Sequence, residues 1–376
     1  MQFSDITGLD QIKSALLQSV GNKHIAHAQL FLGKEGSAAL ALALAYAQYI
    51  NCLQPTAQDS CGNCASCRKY EKLIHPDLHC IFPTTTTKKI KKSSDAVSSS
   101  YMPEWRSFIQ ANHYPVLNDW SSYIGAENKQ CNISKEESRN IVKALSLTSF
   151  EASYKVMLIW LPEWMHPSAA NAILKILEEP PPNTIFLMVS YDANQLLSTI
   201  ISRLQLVHVP LFSDDEIVSY LQTELATPKE KAQQLAFLAE GNLNKAIKLS
   251  EGSDVTHADF FKQWMRICFK TDFTNMLLFA EQFQGMSKEE QKGLLYYGLH
   301  ITRETTLWKY GSEGLIRVKE EEKDFIGNFS NVFDASQLEH LYHEFNNSIK
   351  WLERNSNPKI LFSNLSIFII KLFKVA

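Results

Sequence analysis

The chain has 376 residues, with 37 basic against 40 acidic side chains, a formal net charge of −3, and 45% hydrophobic and 20% charged content. That balance describes an ordinary folded protein with material for two or three domains. It argues against a polyanion partner for the whole chain and leaves any nucleic-acid contact to a local patch.

The opening "MQFSDITGLDQIKSALLQSV" is an amphipathic helix behind a polar turn, without the basic and apolar regions of a secretory leader. Strand patterns follow at 28–33, 77–82, 155–160, 184–190 and 204–209, and helical patterns at 37–50, 134–147, 167–178 and 193–202. This alternation predicts an α/β domain with a mostly parallel sheet over 1–209. From Pro210 onward the strands stop. "DDEIVSYLQTEL", "PKEKAQQLAFLAEG" and "NLNKAIKLS" read as a small three-helix unit at 210–255, and 256–376 as a larger helical, aromatic-rich domain. The most apolar late stretch, 360–373, is interrupted by Ser363, Asn364, Ser366 and Lys371, so it reads as a buried helix rather than a span of ~20 apolar residues. A cytoplasmic protein with no membrane partner is expected.

One segment, 84–130, reads as an insertion between two strands. Its first part, "TTTTKKIKKSSDAVSSS", is polar and of low complexity, and the part from Tyr101 on is dense in aromatics. Two readings stand: a solvated loop backed by a partly packed hairpin or helix, or a basic-aromatic surface for nucleic acid or a partner, using Lys88, Lys89, Lys91 and Lys92.

Four of the seven cysteines, Cys52, Cys61, Cys64 and Cys67, are spaced C-x8-C-x2-C-x2-C. The x2 steps let neighbouring thiolates converge on one ion, and four cysteines without a water position make a structural Zn²⁺ site (about 52–67). Two redox-active pairs or an empty site are the alternatives. His79 and Cys80, nearby, belong to a strand pattern and read as core.

The strand at 28–33 runs into Gly33, Gly36 and an alanine-rich helix, as a phosphate-binding loop does. The pattern G-x-x-x-x-G-K-[ST] set on Gly33 demands Gly, Lys and Ser or Thr, but Ala38, Ala39 and Leu40 stand there. Ala39 removes the ammonium that reaches the phosphates and Leu40 the hydroxyl that ligates Mg²⁺, and Lys34 sits at the wrong end of the loop. After the strand at 155–160, Trp160 and Leu161 occupy the place of the expected metal-binding carboxylate, with Glu163 displaced. Two degenerate motifs predict no cofactor binding of the usual kind and no ATP turnover; nucleotide binding without turnover stays open.

"HAQLF" (27–31), the cysteine spacing, "HPD" (75–77), "NAILKILEEPPPNTIFLMVS" (171–190) and "STIISRL" (198–204) together resemble the AAA+ subunits of the bacterial DNA polymerase III clamp loader. With its nucleotide motifs lost, the chain is similar to the delta-prime type rather than the ATP-hydrolysing tau/gamma type. The resemblance covers 1–83 and 131–250 well, and beyond that is only architectural apart from "NPKILFSNL" (357–365), which is similar to the final collar helix. It implies an AAA+ module of two domains followed by a helical collar, a hetero-pentamer with tau/gamma and delta subunits, and work on a sliding clamp and primer–template DNA through that complex. It also implies that Ser202-Arg203-Leu204 matches the family's Ser-Arg-Cys motif, with Arg203 an arginine finger offered to a neighbour's ATP site. "GNLNKAI" (241–247) resembles the second-sensor motif, with Lys245 in the basic slot. The rival readings are an active tau/gamma-type ATPase and a stand-alone zinc-containing DNA-binding AAA+ protein.

Overall fold

The computed structural model describes residues 1–126, 129–146, 148–250, 255–311, 316, 318, 320–353 and 356–375. Part of the insertion (127 and 128), the end of the helix expected at 134–147, and the segment 251–254 before the expected boundary at 255/256 lie outside them. The chain separates into two compact units, Met1–Ile247 and Lys248–Ala376.

Five parallel strands build the first unit: β1 (Ala28–Gly33), β2 (Leu78–Ile81), β3 (Lys155–Trp160), β4 (Thr184–Ser190) and β5 (Gln205–Val209), in the order β2-β3-β4-β1-β5. Each lies within a residue of its expected range. Strand alternation sorts β1 between two layers. Gln29 and Phe31 face helix α2 (Ala39–Ile50), where the Gln29 amide donates to the Tyr46 hydroxyl at 3.3 Å and the Phe31 and Tyr46 rings lie 6.2 Å apart. Ala28 and Leu30 face the opposite core with Met157, Ile159, Phe186 and Met188. That side is closed by Ile141 and Leu145 of helix α6 (Lys135–Ser146) and Ile173 and Leu177 of α7 (Pro167–Glu178). All twelve residues of α2 are buried, which is why it is built of Ala and Leu on every side rather than on one stripe.

Between β1 and β2 runs α3 (Ala65–Glu71), and between β2 and β3 run α4 (Met102–Ala111) and α5 (Leu117–Tyr123). The packed helices behind the polar stretch fit the first of the two readings, while Thr84, Thr87 and Ser98 within that stretch are buried rather than solvated. Trp105 and Trp120 are fully buried, with Phe82 stacked on Trp105 at 4.1 Å and Trp120 edge-on to both at 5.2 Å. Trp105, Phe108 and Trp120, rings that could have stacked on bases, are spent on this core, while Tyr123 of the same stretch is exposed. Lys88, Lys89, Lys91 and Lys92 are exposed, and Lys89 pairs with Glu104 at 3.1 Å.

The helix expected at 193–202 is broken. A 3₁₀ turn at Ala193–Gln195 precedes α8 (Ser198–Ile201). The Asp192 carboxylate accepts from the Asn194 amide at 3.0 Å, a local bond that competes with a continuous helix. After β5 come α9 (Asp214–Leu225), opened by a Ser213/Glu216 capping box, then α10 (Lys229–Ala239) and α11 (Leu243–Ser250).

The second unit is all helical: α12 (Val255–Lys270), α13 (Phe273–Gly285), α14 (Lys288–Lys309), α15 (Glu320–Val332), α16 (Ala335–Glu353) and α17 (Pro358–Val375). Its core centres on Trp264, stacked on Phe362 at 4.4 Å while its indole N–H donates to the Ser366 hydroxyl at 2.9 Å. At Gly298 helices α14 and α16 come so close that a Cβ would stand 2.7 Å from the Phe345 ring. A parallel α/β sheet followed by helices alone is the AAA+ layout that the resemblance implies. Among the described residues no helix is long and apolar enough to cross a membrane.

Candidate functional site

The loop after β1, residues 34–37, turns sharply into α2. The Ser37 amide donates to the Lys34 carbonyl at 3.1 Å, so the turn satisfies itself. Ala38, Ala39 and Leu40 are buried at the start of α2. Gly36 has φ +75° and lies directly beneath the Asn242 side chain, so that a Cβ there would collide with it. The Leu243 amide donates to the Gly36 carbonyl at 3.1 Å, and Asn242 Oδ1 accepts from the Lys245 amide at 2.9 Å, capping α11. The segment matched to the second sensor is thus seated on the loop itself.

At the end of β3, Trp160 is fully buried and its ring lies 5.2 Å from Trp105 of the insertion. Glu163, the displaced carboxylate, does not turn back to the loop; its Oε1 accepts from the Tyr191 amide at 2.9 Å after β4. Burial raises the Glu163 carboxyl above its ordinary range despite that donor. The Tyr191 hydroxyl donates to the Pro115 carbonyl at 2.8 Å, bringing the insertion to the same edge of the sheet.

Arg203 is elsewhere. It follows α8 at the N-terminal approach to edge strand β5, half-exposed, and donates through Nε to Glu178 Oε1 at 2.9 Å and through Nη1 to the Thr199 carbonyl at 2.5 Å and the Ser202 hydroxyl at 3.2 Å. Its Nη2 also pairs with Glu178. The register Gly33↔Val209 and Gln29↔Gln205 puts the loop at the far end of β5. The four steps of β5 from Gln205 to Val209 alone span roughly 13 Å at strand rise, beyond the reach of one side chain. The structure therefore does not bring Arg203 and the chain's own loop together.

The four cysteines do converge. Their sulfurs all lie within 4.8 Å of one another, with Cys61 and Cys67 at 3.9 Å. Four sulfurs at ~2.3 Å from a tetrahedral ion stand at about this separation. Backbone amides support the sulfurs: Cys61 N–H donates to Cys52 Sγ at 3.2 Å, and those of Cys64 and Cys67 to Cys61 Sγ and Cys64 Sγ at 3.4 Å each. The Cys64 amide, with that of Asn63, holds the Cys61 thiol down to about 6, which suits a ligand that must bind as thiolate. The knuckle is tied to the N-terminus, where Asp59 accepts from the Phe3 and Ser4 amides at 3.1 and 2.8 Å.

"HPD" has a structural role that its spacing did not disclose. The Asp77 carboxylate accepts from the amides of Phe150, Glu151 and Ala152 at 2.6, 2.9 and 2.9 Å, fixing the turn before β3. Cys80 is buried in β2 as expected and His79 is half-buried. The residues that sequence reasoning missed are Tyr114, Pro115, Asp119, Tyr191 and Asn244. Asn244 Nδ2 donates to the Tyr114 carbonyl at 3.0 Å and to Asp119 Oδ2 at 2.8 Å. "GNLNKAI" was the one signal near them, and it pointed to Lys245 rather than to its neighbour.

The family model described as "DNA polymerase III, delta subunit" matches residues 8–213. The chain is 26% identical over 244 residues to DNA polymerase III subunit delta' of Bacillus subtilis, covering 65% of this chain and 60% of that one. It is 27% identical to DNA polymerase III subunit delta' of Pseudomonas aeruginosa over 59% of this chain and 55% of that one. It is 25% identical to DNA polymerase III subunit tau of Escherichia coli over 66% of this chain and 32% of that one. The matched part is thus less than two thirds of each of these relatives' lengths. With a family match that spans more than half of its residues, and with the parallel sheet that was expected, the chain belongs to the family described as DNA polymerase III, delta subunit.

Proposed function

We propose that this chain is a delta-prime-type clamp-loader subunit that hydrolyses no ATP itself and completes a neighbour's ATP site with Arg203. The observation that carries the reading is the separation of Arg203 from the chain's own loop along β5. An arginine that cannot reach its own cradle, yet stands half-exposed on an edge of the sheet, suits a phosphate held by another chain. Tau/gamma-type relatives match at nearly the same identity as delta' ones, but Ala38, Ala39, Leu40 and Trp160 leave no group for the phosphates or for Mg²⁺.

In this reading 1–209 and 210–255 form the AAA+ module and 256–376 the collar of a hetero-pentamer with tau/gamma and delta subunits, acting on a sliding clamp and primed DNA in the cytoplasm. Cys52, Cys61, Cys64 and Cys67 hold a structural zinc ion, which supplies folding energy rather than chemistry. Glu178 occupies the guanidinium until a phosphate competes for it.

The test is reconstitution with tau/gamma and delta partners, followed by DNA- and clamp-stimulated ATP hydrolysis. Arg203→Ala should assemble normally and lower turnover at one interface by ~10³-fold. Normal turnover in the assembled variant rejects the finger. ATP hydrolysis by the purified chain alone would favour the tau/gamma reading.

A further inference from the structure

In parallel α/β sheets a ligand lies outside the carboxyl ends of the strands, where the strand order reverses. Here that place is bounded by the loop after β1, Trp160 after β3, Tyr191 after β4, and the segment leading from β5 into α9. The insertion reaches it through residues 114–119. The Tyr114 side chain is buried, its ring edge-on to Phe212 at 5.4 Å and to Tyr220 of α9 at 5.7 Å. Its carbonyl accepts from Asn244, the next carbonyl, that of Pro115, accepts from the Tyr191 hydroxyl, and the Asp119 carboxylate accepts from Asn244. An aromatic ring, two carbonyl acceptors and a carboxylate are together the kind of groups a nucleotide would present, and they meet groups from the sheet edge and from the helices beyond it.

We propose that residues 114–119 are a built-in pseudo-ligand. They occupy the nucleotide crevice and fasten helices α9 and α11 to the sheet in the closed arrangement, so that closure needs no nucleotide. Three contacts made by different elements carry this: Tyr114 on α9, Asn244 of α11 on Tyr114 and Asp119, and Tyr191 on Pro115. The bond from Leu243 to Gly36 ties the same helix to the loop after β1. The proposal does not depend on partners or on Arg203.

Hydrogen exchange on the full chain tests it, read on the amides of 214–247 with and without saturating Mg-ATP. The wild type should hold these amides protected, and Mg-ATP should change nothing. Asn244→Ala, which removes both of its bonds to the insertion, should speed their exchange by about tenfold, with the strands unchanged. Tyr114→Ala should act in the same direction, and Lys89→Ala, on the exposed rim of the insertion, should have no effect. If Tyr114→Ala does not fold, Asn244→Ala carries the test. Protection that appears in the wild type only with Mg-ATP, or exchange unaltered in Asn244→Ala, overturns the proposal.

Discussion

The cysteine knuckle and the aromatic insertion are both excursions from one sheet, yet they are held together by opposite means. Residues 53–58 are exposed, and the knuckle's order comes from four sulfurs, their amide donors and the Asp59 clamp. The insertion has no such donor set. It buries Trp105, Trp120 and Phe108 against Phe82 and Trp160 of the sheet unit. Ligand bonds are short-range and set by spacing within a few residues, whereas packing is set by whatever surface the rest of the fold presents. On the proposed zinc reading the first kind of order is removed by taking away one ion, the second only by removing volume.

The largest effect should come from breaking the first kind. A strong chelator, or Cys67→Ser, should release about one zinc per chain and open 52–67 to protease, because structural zinc contributes on the order of 10 kcal/mol to the folding of such a knuckle. Tryptophan fluorescence from the insertion should be unchanged. Metal content near zero in protein purified without chelator would reject the zinc assignment.

Next in size is the mirror experiment. Trp120 is fully buried, and its indole N–H donates to the Pro83 carbonyl at 2.7 Å. Trp120→Ala should cost about 3–5 kcal/mol in urea unfolding while the protein keeps its metal. Loss of the metal in this variant would mean that the two excursions are one cooperative unit.

The same contrast explains how much the sequence disclosed. The strands were legible to within a residue because buried parallel strands are continuous apolar runs between turns, as in "KVMLIW". The knuckle was legible because its spacing is its geometry. The insertion was legible only in part: helices packed behind the polar stretch were among the readings, but the polar half itself hides buried bonds. Ser98 is buried, its hydroxyl donating to the Phe82 carbonyl at 3.2 Å while its amide donates to Glu137 of α6 at 2.6 Å. The Thr84 hydroxyl likewise donates to the Ala96 carbonyl at 2.7 Å. In "TTTTKKIKKSSDAVSSS" nothing local separates these residues from solvated ones. Arg203 was singled out only through the resemblance, since a lone arginine after a helix carries no signal of its own; the strand register is what separates it from its own loop.

A smaller effect should mark Asp77, which fixes the turn between the two excursions and β3. Burial pulls its carboxyl up, but the amides of Glu151, Phe150 and Ala152 outweigh burial and hold it below its ordinary value of 3.8. A carboxyl depressed in the folded state contributes stability above its unfolded pKa and loses it as pH falls through the folded value. Asp77→Asn should therefore cost about 1–3 kcal/mol at neutral pH, and the difference should shrink as unfolding is measured below pH 3.8. A cost independent of pH would mean that shape, not charge, holds the turn.

The smallest effect concerns the seam where insertion meets sheet. Glu163 orients Tyr191, which in turn holds Pro115, and one Glu163 oxygen is buried without a hydrogen-bond partner among the described residues. Burial raises this carboxyl above its ordinary 4.5, so its contribution runs opposite to that of Asp77: stability is retained below the unfolded pKa and lost as pH rises through the folded one. Glu163→Gln keeps an acceptor for the Tyr191 amide and removes the charge. It should be more stable than the wild type at neutral pH and level with it below 4.5, as read from denaturation midpoints across that range. A variant less stable at neutral pH would mean that the ionised carboxylate itself anchors Tyr191, and the seam would then depend on charge rather than on packing alone.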